Sequence, residues 1–145
     1  MKTDVFEQLL VALCLMAVCV VIHATGLAWA VRRLRQQPVT PRFWDLCWMF
    51  VRLAALMVVL HLGQIAVWAL IYVMRGAMTD MASALYFSAV TYTTTGYGDL
   101  VLPPEWRLVG GVEALTGILM CGWSTGFFFA IANRLYEPRT GTAGS

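Results

Sequence analysis

Three apolar stretches, each long enough to cross a lipid bilayer, constrain the fold more than any other feature of this 145-residue sequence. They run from about residue 8 to 31, from 46 to 74 and from 108 to 132, and the only charges inside them are Arg52 and Glu113. A helix needs roughly 20 apolar residues to span the hydrocarbon core. A composition of 60% hydrophobic and 12% charged residues is also far from that of a soluble domain. The sequence therefore predicts an all-α membrane protein with three transmembrane helices.

Positive charges lie mainly at one end of these stretches and predict the orientation. Lys and Arg collect on the cytoplasmic side of membrane proteins, so we expect a multi-pass protein of the cell (inner) membrane with its N-terminus outside and its C-terminus cytoplasmic. The slight net positive charge then reflects orientation, and no nucleic-acid partner is expected. The arginines do not repeat every third residue through a span, which disfavours a voltage sensor. Those between the first two stretches are Arg32, Arg33, Arg35 and Arg42.

A short apolar segment at 80–93 is followed by the polar sequence TTGYGD at 94–99. A helix over 80–93 is roughly 20 Å long, which is too short to cross the membrane. Non-helical chain at membrane depth persists only where it is buried in protein or lines water. The two segments therefore predict a re-entrant pore helix and an extended loop beside an aqueous path. Gly96 and Gly98 permit left-handed backbone at alternate positions, which turns successive carbonyls to one side as ligands for cations.

This arrangement resembles the potassium channel family, with a bacterial two-helix pore module and TTGYGD in the place of its filter. The resemblance covers residues 38–136, divided into an outer helix (43–75), a pore helix (80–93), the filter (94–99) and an inner helix (105–136). Residues 1–37 then form an extra N-terminal transmembrane helix and its arginine-rich linker. Residues 137–145, rich in small and polar residues, are expected to be a disordered tail.

The resemblance implies passive K⁺ conduction, because carbonyls of the family's filter replace the hydration shell of the ion. It also implies a homotetramer in membrane lipid, since the family builds its ring of carbonyls from four copies and this chain has one such loop. K⁺ ions in the filter are the expected ligands, and no organic cofactor and no enzyme activity are expected. The implied coordinating residues are Thr94, Thr95, Gly96 and Tyr97, with Gly98 at the outer mouth.

The resemblance further assigns residues that support the filter. Asp99 would lie behind the outer mouth, and the Tyr97 ring would pack against the pore-helix aromatics Tyr86 and Phe87. Gly117 corresponds to a glycine at which the inner helix bends in the gating of family members. Two positions differ from the family pattern, because Thr95 replaces the usual valine and Val90 replaces an acidic residue found in some bacterial relatives.

Polar and aromatic residues inside the spans suggest further roles. Glu113, about two turns into the third span, is expected to support the filter or pore helix from behind, through Thr91, Thr93, Thr95 or backbone N–H groups, with a contact to Arg107 as the alternative. His23 and His61 are either proton sensors or neutral partners in interhelical hydrogen bonds. The phenylalanines near the inner end are either a hydrophobic gate or packing residues; they are Phe127, Phe128 and Phe129.

Two alternatives to a potassium channel stay open at this stage. The first is a weakly selective cation channel, because Thr95 alters the back of the filter. The second is a non-conducting membrane scaffold or regulatory subunit that keeps the shape of a pore. The first helix is expected to pack on the outer helix at the periphery, where the small residues Ala24, Gly26 and Ala28 allow close approach.

Overall fold

The computed structural model describes residues 5–35 and 43–136, which are all helical or irregular and contain no strand. The expectations for the linker and for the tail at 137–145 concern residues outside these ranges. The helices are α1 (Val5–Arg35), α2 (Phe43–Met74), α3 (Met81–Tyr92) and α4 (Arg107–Tyr136), and α4 is preceded by a 3₁₀ turn at Pro104–Trp106.

The prediction of an all-α chain with three helices of membrane-spanning length is confirmed. By length and composition the spans are Val5–Leu34, Phe43–Met74 and Pro104–Arg134. The first helix extends a few residues beyond the predicted apolar stretch at both ends, because polar residues such as Glu7 and Arg33 prolong its flanks. The last span begins with the 3₁₀ turn because proline suits the first position of a helix.

The short helix α3 runs back along α2 in the opposite direction. The Asp80 carboxylate caps its start by accepting a hydrogen bond from the Ser83 backbone N–H at 2.9 Å. At its end, the Tyr92 hydroxyl lies 3.1 Å from Nδ1 of His61, which is 13 residues, or about 20 Å, before the end of α2. α3 therefore ends level with the middle of the second span, as expected for a re-entrant helix.

The first helix lies in the cleft between α2 and α4. Gly26 allows close approach to α2, since a Cβ there would come within 2.5 Å of the Leu60 side chain. On the other side, His23 of α1 contacts Trp123 and Ser124 of α4. The contact of α1 with α4 is more extensive than its contact with α2. The expectation that α1 packs on the outer helix is confirmed, but buried polar side chains also join α1 to α4, a contact that was not predicted.

Candidate functional site

The loop after α3 has alternating left-handed backbone. Thr94, Gly96 and Gly98 have φ angles of 59°, 59° and 78°. This conformation is readily adopted by glycine and costs other residues roughly 1–2 kcal/mol. A β-branched residue such as Thr94 in this region is therefore held there by its surroundings, and strain of this kind collects at functional sites.

Backbone hydrogen bonds orient the first carbonyls of this loop. The N–H groups of Thr95 and Gly96 both donate to the carbonyl oxygen of Val90, at 2.9 and 3.2 Å. In a planar trans peptide the C=O of one residue points opposite to the N–H of the next. The carbonyls of Thr94 and Thr95 consequently point away from α3. Both N–H groups are paired behind the loop, and both carbonyl oxygens remain available on its other face.

A hydroxyl pair lies among the threonines at the base of the loop. The side-chain oxygens of Thr93 and Thr95 are 2.9 Å apart, and Thr93 also donates to the Ala89 carbonyl at 2.7 Å. The Thr95 hydroxyl is thus engaged with the end of α3. A valine at position 95 would have the same shape and would lack this bond.

The C-terminal end of the loop is tied to α3 by a second contact. The Tyr86 hydroxyl donates to the Asp99 carboxylate at 2.7 Å. This hydrogen bond lowers the pKa of Asp99 and raises the pKa of Tyr86, because it favours the carboxylate of the first and the neutral phenol of the second. Residues 86 and 99, predicted separately as supports, therefore lie together.

The predicted packing of the Tyr97 ring on Tyr86 and Phe87 is not seen within one chain. The Tyr97 ring is 72% exposed, and no ring contact joins it to Tyr86 or Phe87 among the described residues. Phe87 instead packs edge-on against Tyr72 of α2, with ring centroids 5.6 Å apart. The packing of Tyr97 on these aromatics therefore stays a prediction.

Glu113 lies fully buried where α2, α3 and α4 meet. The Tyr72 hydroxyl donates to one carboxylate oxygen at 2.7 Å, and the Ser88 hydroxyl donates to the other. The contact with α3 was expected, but its partner is Ser88 and not one of the threonines, and Tyr72 was not anticipated. Two hydroxyl donors from two helices offset the cost of burying the carboxyl group. Whether this junction supports the filter stays a prediction.

A ring of five hydrogen-bonded side chains joins all four helices below this junction. Four of its links each have a distance of 3.1 Å between the two polar atoms. They join Gln64 Nε2 to His23 Nδ1, His23 Nε2 to Ser124 Oγ, Ser124 Oγ to His61 Nε2, and His61 Nδ1 to the Tyr92 hydroxyl. The Tyr92 hydroxyl closes the ring by donating to Gln64 Oε1. Of its five members the sequence pointed to His23 and His61, as neutral partners in an interhelical hydrogen bond or as proton sensors, and the structure shows two hydrogen bonds for each.

The donors in this ring follow one another in a single direction. The Gln64 amide donates to Nδ1 of His23, so a neutral His23 carries its proton on Nε2 and donates to Ser124. The Tyr92 hydroxyl donates to Gln64 Oε1, so its oxygen accepts from Nδ1–H of His61. The Nε2 atom of His61 is then free to accept from Ser124. All polar atoms of the ring are satisfied when both histidines are neutral.

Three predicted gating residues pack within the chain. A Cβ at Gly117 would overlap the carbonyl oxygen of Tyr92, so α4 passes the end of α3 at a distance that only glycine allows. Phe127 and Phe128 pack against a cluster of Ala30, Met49 and Leu53 from α1 and α2. Of the three neighbouring phenylalanines, only Phe129 stays largely exposed, at 67%. Their roles as hinge and inner gate stay predictions.

Comparison with known proteins identifies the relevant part of the chain. A family model described as "Ion channel" matches residues 55–134, which is more than half of the sequence. The match includes most of α2, all of α3 and the loop after it, and nearly all of α4, and it leaves out α1. No curated protein and no solved structure matches the chain.

Proposed function

Because the chain belongs to the ion channel family, we propose that four copies assemble around the 94–99 loop into a channel selective for K⁺. The family assignment makes this a multi-pass membrane protein with the function of a channel pore. The observation that carries the K⁺ proposal is the backbone of the loop. Alternate residues have left-handed φ, and the N–H groups of Thr95 and Gly96 are paired behind it.

This backbone suits a dehydrated cation. Carbonyl oxygens that face a path without a cationic side chain replace the hydration shell of K⁺ at little cost. The loop supplies these oxygens from one side only, since residues 93–100 are all exposed in a single chain. A closed coordination sphere therefore requires further copies around a common axis. The exposed Tyr97 ring supports the same arrangement, because a neighbouring copy would supply the packing that it lacks.

The proposal predicts the reversal potential of the purified protein in planar bilayers. With K⁺ and Na⁺ on opposite sides, we expect the reversal potential to follow the K⁺ gradient, and external Ba²⁺ to block the current. Currents with a reversal potential that ignores the K⁺ gradient would refute K⁺ selectivity. No current from correctly assembled protein would favour the alternative of a scaffold or regulatory subunit.

A weakly selective cation channel is the second candidate, and the Thr93–Thr95 hydroxyl pair favours it. The Thr95 hydroxyl gives the back of the filter a side-chain hydrogen bond that valine cannot form. Thr95→Val removes the hydroxyl and preserves the shape of the side chain. If the pair loosens the filter, this substitution raises the K⁺/Na⁺ permeability ratio; if the wild type is already selective, the ratio stays as it is.

A further inference from the structure

A cavity between α1 and α2 lies at the end of the bundle that carries most of the arginines. Its volume is about 470 Å³, and it is lined by Arg33 of α1 and Arg52 of α2 together with apolar side chains. Ala30, Met49 and Leu53 are buried members of this lining. The cavity therefore combines two cationic groups from different helices with an apolar floor.

Both guanidinium groups are held in place by tryptophan. Arg33 lies over the ring of Trp29 with 5.3 Å between its Cζ atom and the ring centroid, and Arg52 lies over Trp48 at 5.8 Å. Each pair is spaced four residues apart on its helix, so the two side chains share a face. A guanidinium stacked on an aromatic face keeps its N–H edge for a planar acceptor such as a phosphate or carboxylate. The stacking thus orients both arginines and reduces the entropy lost on binding an anion.

The position of the cavity favours one kind of occupant. The exposed rings of Trp29 and Trp48 are of the type that marks the membrane–water interface. Basic pockets between transmembrane helices at this level bind the head groups of anionic lipids. A free phosphate ion would use the arginines and leave the apolar floor empty, whereas an acyl chain would cover it.

We propose that this cavity binds an anionic phospholipid, with its phosphate between Arg33 and Arg52 and the start of an acyl chain on the floor formed by Ala30, Met49 and Leu53. The same three floor residues pack against Phe127 and Phe128 of α4. Occupation of the cavity is therefore coupled to the inner end of the helix that follows the filter. The resulting dependence of channel opening on lipid rests on the proposed function; the binding site itself does not.

Binding is tested on the full-length protein by native mass spectrometry and by thermal melting, with dioleoylphosphatidylglycerol, dioleoylphosphatidylcholine and soluble glycerol phosphate as probes. The wild type is expected to bind phosphatidylglycerol more tightly than phosphatidylcholine. In the double variant Arg33→Gln/Arg52→Gln, the affinity for phosphatidylglycerol should fall roughly 10–30-fold, as expected for the loss of two interfacial arginines. The matched control, Arg32→Gln/Arg134→Gln, makes the same change in net charge, and neither residue lines the cavity.

A third variant tests the cavity without changing charge. Leu56→Trp enlarges a half-buried lining residue, and it should reduce the preference for phosphatidylglycerol while both arginines remain. Size-exclusion profiles and helix content by circular dichroism show that each variant is folded.

Four results would each overturn the site: equal binding of both lipids by the wild type, wild-type affinity in the arginine double variant, an equal loss in the control, or full stabilisation by glycerol phosphate. Bilayer recordings with and without phosphatidylglycerol provide the functional test. Lipid binding without any conduction would refute the channel and leave the site standing.

Discussion

Replacing Tyr92 by phenylalanine removes one hydroxyl group from the ring of side chains that joins the four helices. The volume of the side chain is nearly unchanged, so the substitution opens no large cavity and tests the hydrogen bonds alone. Two of them are lost, one from His61 and one to Gln64. Gln64 is completely buried, and its Oε1 atom is left without a partner.

The expected cost lies between two limits. Hydrogen bonds between membrane helices contribute on average about 0.6 kcal/mol each, which for two bonds sets a lower limit of about 1 kcal/mol. A buried polar atom left without a partner costs about 1–3 kcal/mol. The Gln64 oxygen bears this cost in full, and the half-buried His61 bears only part of it. We therefore expect Tyr92→Phe to lower the free energy of unfolding by about 1–4 kcal/mol per chain.

Unfolding by sodium dodecyl sulfate in mixed micelles, followed by tryptophan fluorescence, measures this quantity. Tyr86→Phe is the matched control, since its hydroxyl is bonded only to an exposed carboxylate and its loss should lower the free energy of unfolding less than the loss of the Tyr92 hydroxyl. The double variant Tyr92→Phe/Gln64→Leu should cost less than the sum of its parts, because both changes break the same bond. A Tyr92→Phe protein as stable as the wild type, or strictly additive costs, would show that the ring does not stabilise the fold.

Three further predictions concern the loop and its supports. Gly96→Ala should abolish K⁺ flux into vesicles, because alanine at φ 59° costs roughly 1–2 kcal/mol in every copy; wild-type flux would contradict the filter assignment. Glu113→Leu leaves the buried Tyr72 hydroxyl without its acceptor, at about 1–3 kcal/mol, while the Ser88 hydroxyl keeps the Ile65 carbonyl as an acceptor at 3.1 Å. The leucine variant should therefore lower the melting temperature of the assembled protein, and Glu113→Gln, which keeps an acceptor, should lower it less. Equal melting of the leucine variant and the wild type would argue against this support. The hydrogen bond between Tyr86 and Asp99 holds the pKa of the carboxyl below its ordinary 3.8 and that of the phenol above its ordinary 10.0. The stabilising effect of this bond should therefore be complete between pH 3.8 and 10.0, and it should be lost as the pH falls through the pKa of folded Asp99 or rises through that of folded Tyr86. In Tyr86→Phe, the carboxyl carbon resonance of Asp99 should titrate at higher pH than in the wild type. An unchanged titration would exclude the bond.

Hydropathy and glycine spacing were sufficient to predict the architecture. The three spans follow from apolar length, and the loop at 94–99 follows from glycines placed where a short helix must end inside the membrane. The partners of buried polar groups could not be predicted in the same way, because they depend on how each helix is rotated about its axis. Ser124 and His23 are 101 residues apart in sequence, and nothing local to either residue indicates the other.

One missed partner did have a signal in the sequence. Ala84, Ser88 and Tyr92 recur at a spacing of four, so they share one face of the short helix, and the structure buries all three. That periodicity would have pointed Ser88 towards the neighbouring helices and towards Glu113. The contact of the first helix with α4 was missed for a related reason, since small residues indicate close packing and do not indicate every neighbour that is packed against.

The position of α1 limits how this protein can be shortened or recombined. A chain that began at Phe43 would retain everything matched by the family model, yet it would lack His23, which is hydrogen-bonded to both Gln64 and Ser124. Each of those groups would then need a new partner or an apolar replacement. The first helix thus supplies hydrogen-bond partners to buried polar residues of α2 and α4. A two-helix version of this pore has to be redesigned along the face that α1 covers.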